Sequence, residues 1–220
     1  MIVPQEIVKQ SFLFTYLMLF GLSLITFIEA FKAQSPRLRH IYNLETCVSV
    51  IAGLVYSIFY EKLKSNQLDL DTVTQYRYMD WLITTPMLLL VLLMFLNFES
   101  RREIHFTVYA VIVALDVVML VSGYLGETKK LDAKSANVIG FTAFIAMMSV
   151  IYYFFLWQAP FVLNNYILFV IFVLVWGSYG IAYHLDANAK NLMYNGLDVI
   201  SKAMFGVFIW LFYSEVVVFP

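Results

Sequence analysis

The chain has 220 residues, 62% hydrophobic and 13% charged, with a mean hydropathy of +0.79. A soluble domain carries roughly a quarter charged residues and about half apolar ones, so this is the composition of an integral membrane protein. Twenty Phe, 15 Tyr and 4 Trp exclude disorder, the balance of 14 basic against 15 acidic residues argues against nucleic-acid binding, and the single Cys47 excludes a disulfide scaffold.

A spanning helix needs about 20 predominantly apolar residues. Seven stretches qualify, at about 11–31, 38–60, 74–97, 104–124, 136–157, 161–184 and 191–217. Their apolar runs are too long for the alternating strands of a membrane β-barrel. They predict an all-α membrane protein, one seven-transmembrane-helix bundle over residues 1–220, bathed in lipid. The links are short and polar, and Pro36 and Pro160 punctuate them. The N-terminal region shows no basic segment with a short apolar core and small-residue cleavage site, so no cleaved signal peptide is expected, and the first helix is long enough to span.

Seven helices put the two termini on opposite faces. One face carries Lys32, Arg37, Arg39, Arg101 and Arg102, the other Lys9, Lys62, Lys64, Lys129, Lys130, Lys134 and Lys190. The first set sits in much shorter links, which orients the N-terminus outside.

The informative residues are charges inside the spans, because each is costly in hydrocarbon and normally faces a partner in the interior. They are Glu45 in helix two, Arg77 and Asp80 in helix three, Asp116 in helix four, and Asp198 with Lys202 in helix seven. Glu29 reads as a boundary residue. Lys202 is followed by the apolar run 203–212 and is too deep to snorkel, while Asp198, four residues earlier, shares its face. The spacing fits a buried ion pair that only joins helices, and it equally fits a Schiff-base lysine with its counter-ion. On helix three, Arg77, Asp80 and Thr84 stack along one stripe, as a hydrogen-bonded relay would or as an ion pair locking helices would.

The segments running from Arg77 through Asp80, Trp81, Thr84 and Thr85 to Pro86, and from Leu197 through Asp198 to Lys202, resemble helices three and seven of the microbial (type 1) rhodopsins. Trp176, Tyr179 and Tyr183 on helix six, and Asp116, Met119 and Gly123 on helix four, fit the same family.

The resemblance implies all-trans retinal in the middle of the bundle, bound covalently to Lys202 as a protonated Schiff base. It implies Asp80 as primary proton acceptor, Asp198 as second counter-ion, Arg77 on the exit side, and Thr84 hydrogen-bonded to Asp80, the charged set titrating as a coupled group. Trp81, Trp176, Tyr179 and Tyr183 would wall the chromophore, with Met119 and Gly123 near its ring. Thr85 would bond Asp116, and Leu88 stands where leucine accompanies green absorption. Taken alone, the aromatic stripe reads as ordinary core.

One position departs from the family's outward pumps. Their proton-donating carboxylate lies eleven residues after the acceptor, and here that position is Val91. Glu45 is the substitute candidate, about 10 Å inside helix two from the face holding Arg39. Arg39 would have to fold inward to touch it, and Trp210 could cap the same region. Arg, Glu and Trp together resemble the rhodopsins of giant viruses. A structural or oligomer-interface carboxyl is the competing reading of Glu45.

The resemblance implies a light-driven outward proton pump; a light-gated cation channel and a photosensory rhodopsin are the alternatives. A homo-oligomer, trimer or pentamer, is expected by analogy. No enzyme, no metal site and no nucleic-acid partner is expected. His40, His105 and His184 read as solvated helix-end residues and Cys47 as packing.

Overall fold

The computed structural model describes residues 3–67, 69–98 and 103–213. Arg101, Arg102 and the end of the last predicted helix at 214–217 lie outside the described residues. Seven helices among those described are long and apolar enough to cross a bilayer. The chain groups into two compact units, one holding the residues up to Leu70 and from Asp186 onward, the other Asp71–Leu185.

The first unit contains helix one (Gln5–Lys32), helix two (Pro36–Lys64) and helix seven. Helix seven is α-helical over Ala187–Asp198, opens into a π-helical turn at Val199–Met204, and resumes as α-helix over Phe205–Tyr213. The second unit contains helix three (Leu70–Leu96, entering from the first unit), helix four (Phe106–Glu127), helix five (Ala133–Tyr152, then a π turn at Tyr153–Trp157) and helix six (Leu163–Ala182).

Most helices extend beyond the predicted apolar cores, because hydropathy marks only the hydrocarbon part of a helix. Helix seven starts at Ala187 rather than 191. Asp186 caps it, its Oδ1 accepting from the backbone N–H groups of Asn188 and Ala189 at 3.1 Å. Helix five starts at Ala133 because Asp132 accepts from the Ser135 N–H at 2.9 Å, and hydrogen bonding from the Ser135 side chain, then from its N–H, holds the Asp132 carboxyl below its ordinary range. Helices two and four close alike: Asn66 (φ 53°) and Lys129 (φ 57°) turn left-handed, so Gln67 N–H reaches Lys62 O and Lys130 N–H reaches Leu125 O, each at 2.9 Å. Helix four starts at Phe106 rather than 104 and runs on past 124 to Glu127, and helix six runs shorter than predicted, since Phe161 and Val162 precede its first turn and Tyr183 and His184 form a turn after its last.

Lipid-facing positions carry large apolar side chains, with Phe31 75% and Phe106 82% exposed. Cys47 belongs to this outer face rather than to the packed interior expected for it. Helix two buries Glu45, Val48, Ser49 and Ala52, and position 47 lies off that stripe.

Candidate functional site

Helix seven turns a polar stripe inward. Asn191, Asn195, Asp198 and Lys202 follow at intervals of four, three and four residues, and none is more than 1% exposed. Asn191 Nδ2 donates to Leu70 O at 3.1 Å. Asn195 Nδ2 donates to Ser11 Oγ at 2.7 Å, and its carbonyl accepts from Thr15 Oγ1 at 3.3 Å. These bonds satisfy polar groups that lipid cannot serve, and the two at Asn195 clamp helix seven onto helix one.

Lys202 Nζ lies 3.6 Å from Asp198 Oδ2, with both side chains 1% exposed. The same oxygen accepts a 2.7 Å hydrogen bond from the Tyr56 hydroxyl on helix two. A charge pair out of water persists only when further hydrogen bonds complete it, and Tyr56 supplies one. The lysine lies in the π turn, a winding that often marks functional sites in helices. Of the chain's lysines only Lys202 is buried.

Glu45 is wholly buried, and its carboxyl rests against helix seven one turn beyond Lys202. A Cβ placed on Gly206 would lie 2.9 Å from Glu45 Oε1 and 2.8 Å from Leu22 Cδ2, so only glycine leaves the carboxyl its place. Gly206→Ala is therefore expected to destabilise the protein by about 1–3 kcal/mol through overpacking. Gly196→Ala, where nothing stands within 4 Å, should be neutral or stabilising by up to about 1 kcal/mol. Unfolding midpoints of the two variants check this, and equal stabilities would contradict the packing described.

Arg39 does not fold inward to Glu45. Its Nη2 donates to Ala33 O at 2.9 Å, closing the end of helix one. Glu29 pairs with Lys32 at 2.8 Å, as a boundary residue should.

In the second unit, helix three buries Arg77, Asp80, Trp81, Thr84, Thr85 and Leu88, and Val91 at the departed position is fully enclosed. Thr84 Oγ1 donates to the backbone carbonyl of Asp80 at 2.9 Å rather than to its carboxyl, because a hydroxyl four residues on falls naturally on that carbonyl. Thr85 Oγ1 stands 2.7 Å from Trp81 O and 2.6 Å from Asp116 Oδ2. The Thr85 hydroxyl donates in both contacts, and the second ties helix three to Asp116 on helix four.

The aromatic residues form two groups. Trp81 meets Tyr179 edge-on (5.3 Å, 90°), and Trp176 stacks on Phe172 (4.6 Å, 28°) with its buried Nε1 unpartnered among the described residues. Gly123 gives way to Tyr78, whose hydroxyl would lie 2.7 Å from a Cβ there, and the Tyr183 hydroxyl fills the space beside Gly126. Met119 is half-buried. Gly180 makes room for Phe141, whose Cε2 would stand 2.5 Å from a Cβ. His40, His105 and His184 are exposed at or near helix ends.

Residues 8–216 match the family of bacteriorhodopsin-like proteins. The chain belongs to that family. This rhodopsin superposes on the viral rhodopsin OLPVRII with a TM-score of 0.90 at 33% identity, covering 96% of this chain and all of the other. It is 29% identical over 159 residues to the green-light absorbing proteorhodopsin of Gamma-proteobacterium EBAC31A08, a match spanning 64% of this chain and 61% of that relative. The proton pumping rhodopsin AR2 of the marine alga Acetabularia acetabulum shares its fold, with a TM-score of 0.79 at 18% identity.

Three residues of this rhodopsin's first unit escaped the sequence reading: Tyr56, Asn195 and Ser49. Each was reachable by helical spacing, since Tyr56 lies eleven residues from Glu45 and Asn195 three before Asp198, on the same inward stripes.

Proposed function

We propose that this chain is a light-driven outward proton pump that carries retinal on Lys202. The observation that supports this best is the buried Lys202–Asp198–Tyr56 group: one amine kept out of water and compensated at 3.6 Å by a carboxylate that itself accepts a 2.7 Å hydrogen bond from Tyr56. The residues present fit the cofactor. An enclosed primary amine can condense with an aldehyde, and by resemblance Trp81, Trp176 and Tyr179 would supply the flat apolar faces a polyene requires. When bound, retinal supplies light absorption and a change of shape that re-aims the lysine nitrogen.

The rest is protein chemistry. Asp198 and Tyr56 hold the proton-bearing Lys202 Nζ. By resemblance Asp80 accepts that proton after light absorption, and Arg77 and Thr84 bias its onward release. Val91 offers no proton eleven residues further along. Glu45, buried and one turn beyond Lys202, returns one.

Photocurrent measured against voltage tests the pump. The expected current keeps one sign across the range, acidifies the outside, and disappears in Asp80→Asn. A current whose reversal follows an imposed sodium or proton gradient would show a channel instead, and a photocycle without net charge movement would show a sensor. In Glu45→Gln, recovery after the flash is expected to slow by at least about a hundredfold, with added azide restoring the rate.

A further inference from the structure

On helix two, Glu45, Ser49, Ala52 and Tyr56 follow at intervals of four, three and four residues, and all are buried. Both ends of this stripe are fixed against helix seven. Tyr56 bonds Asp198 at 2.7 Å, and the Glu45 carboxyl lies against Gly206. The numbers run in opposite directions, so the two helices are antiparallel and Ser49 comes level with Lys202 and Ala203.

Ser49 differs from six other hydroxyls in the spans. Ser23, Thr26, Thr46, Thr84, Thr85 and Ser122 all donate to the carbonyl three or four residues earlier. Ser49 Oγ makes no such bond. It is wholly buried, and it has no hydrogen-bond partner among the described residues. The same holds for both carboxyl oxygens of Glu45, four residues away on the same face. Buried polar groups are nearly always satisfied, by internal water where no protein group serves. Residues four apart on a helix are neighbours on one face, with Cβ atoms about 5–6 Å apart, and one water bonded at about 2.8 Å to each oxygen would satisfy both side chains together.

We propose that Ser49 is the relay between Glu45 and Lys202: its hydroxyl shares an internal water with the Glu45 carboxyl and hands the proton on to the lysine nitrogen. The step conserves protons. The Glu45 O–H bond breaks as the water takes its proton, the water releases one to Ser49 Oγ, the hydroxyl gives up its own, and an N–H bond forms at Lys202 Nζ. Glu45 is left as a carboxylate. The inference rests on Glu45 being the donor, and it adds the group that connects the donor to its target. Ser49 is a positioning and relay residue, in contact with the proton only in passage.

Infrared spectroscopy of the protein without retinal and flash spectroscopy of the protein with it together test this, using Ser49→Ala, Ser49→Thr and Glu45→Gln. The Glu45 carbonyl stretch is identified by its loss in Glu45→Gln. In Ser49→Ala that band should shift, and a water O–H band sensitive to heavy-oxygen water should vanish. Recovery after the flash should slow by at least about tenfold and be restored by azide. Ser49→Thr, which keeps the hydroxyl, should retain the band, the water and the rate. A Ser49→Ala protein with an unmoved Glu45 band, or with the parent's recovery rate beside a slow Glu45→Gln, overturns the relay and leaves the donor standing. A Glu45→Gln protein that recovers as fast as the parent overturns the donor itself, and the relay with it.

Discussion

Lys202→Ala is expected to abolish visible absorption completely when the protein is supplied with retinal, while helix content is retained. Covalent attachment needs an unprotonated primary amine in a dry enclosure, and the other eight lysines are exposed or half-buried. Lys202→Arg should be equally colourless, because a guanidinium stays protonated and forms no imine. Lys9→Ala, at a half-buried position on helix one, should keep the parent band. Absorption spectra of the three purified proteins, with far-ultraviolet circular dichroism as a check on folding, decide the matter. A visible band surviving in Lys202→Ala would end the retinal reading and every role assigned around it.

The second large effect concerns stability without the chromophore. Asp198→Ala removes the carboxylate 3.6 Å from Lys202 Nζ, leaving an ammonium at 1% exposure and the Tyr56 hydroxyl without its 2.7 Å acceptor. Breaking one side of a buried pair costs about 3–5 kcal/mol, because the remaining charge is uncompensated. Asp198→Ala combined with Lys202→Ala removes that charge too, and should be more stable than Asp198→Ala alone. The coupling between the two sites is expected to be about 1–3 kcal/mol, the range found for residues in direct contact. Unfolding free energies of the parent, both single variants and the double variant, measured in one detergent–lipid mixture without retinal, give the cycle. Additive losses would mean the pair contributes geometry and little energy.

These charged residues were legible in the sequence for the same reason they are expensive. A carboxylate or ammonium inside an apolar span has few explanations, so Glu45, Asp80, Asp116, Asp198 and Lys202 stood out, and the structure finds each of them buried. Neutral polar residues send no such signal. A serine or threonine in a helix can satisfy itself on the carbonyl one turn back, as Ser23 and Thr84 do, so its presence inside a span is unremarkable. Helical spacing puts Ser49 and Tyr56 on the inward stripe of Glu45, but what they do or do not touch is set by tertiary placement. Helix ends were blurred because hydropathy fades before hydrogen bonding does, although Asp186 and Asp132 were readable as caps. The inward fold that Arg39 would need to touch Glu45 is not made, because its guanidinium donates to Ala33 O at the end of helix one instead.

The π turn at Val199–Met204 had no counterpart in the sequence, since neither glycine nor proline marks it. Its effect is rotational. Asp198 and Gly206 are eight residues apart, and on a regular α-helix they would point about 80° away from each other, at about 100° per residue. Tyr56 and Glu45, their respective neighbours on helix two, are eleven apart and differ by only about 20°. A π turn absorbs one extra residue, which takes about 100° back out and leaves Asp198 and Gly206 within about 20° of a common direction. The wide turn thus works as a phase correction, bringing two stretches of helix seven into step with a single edge of helix two. Wound as a regular α-helix with every residue kept, the segment 199–204 would swing Gly206 away from Glu45 by about a quarter of a revolution, with no side chain in the group replaced.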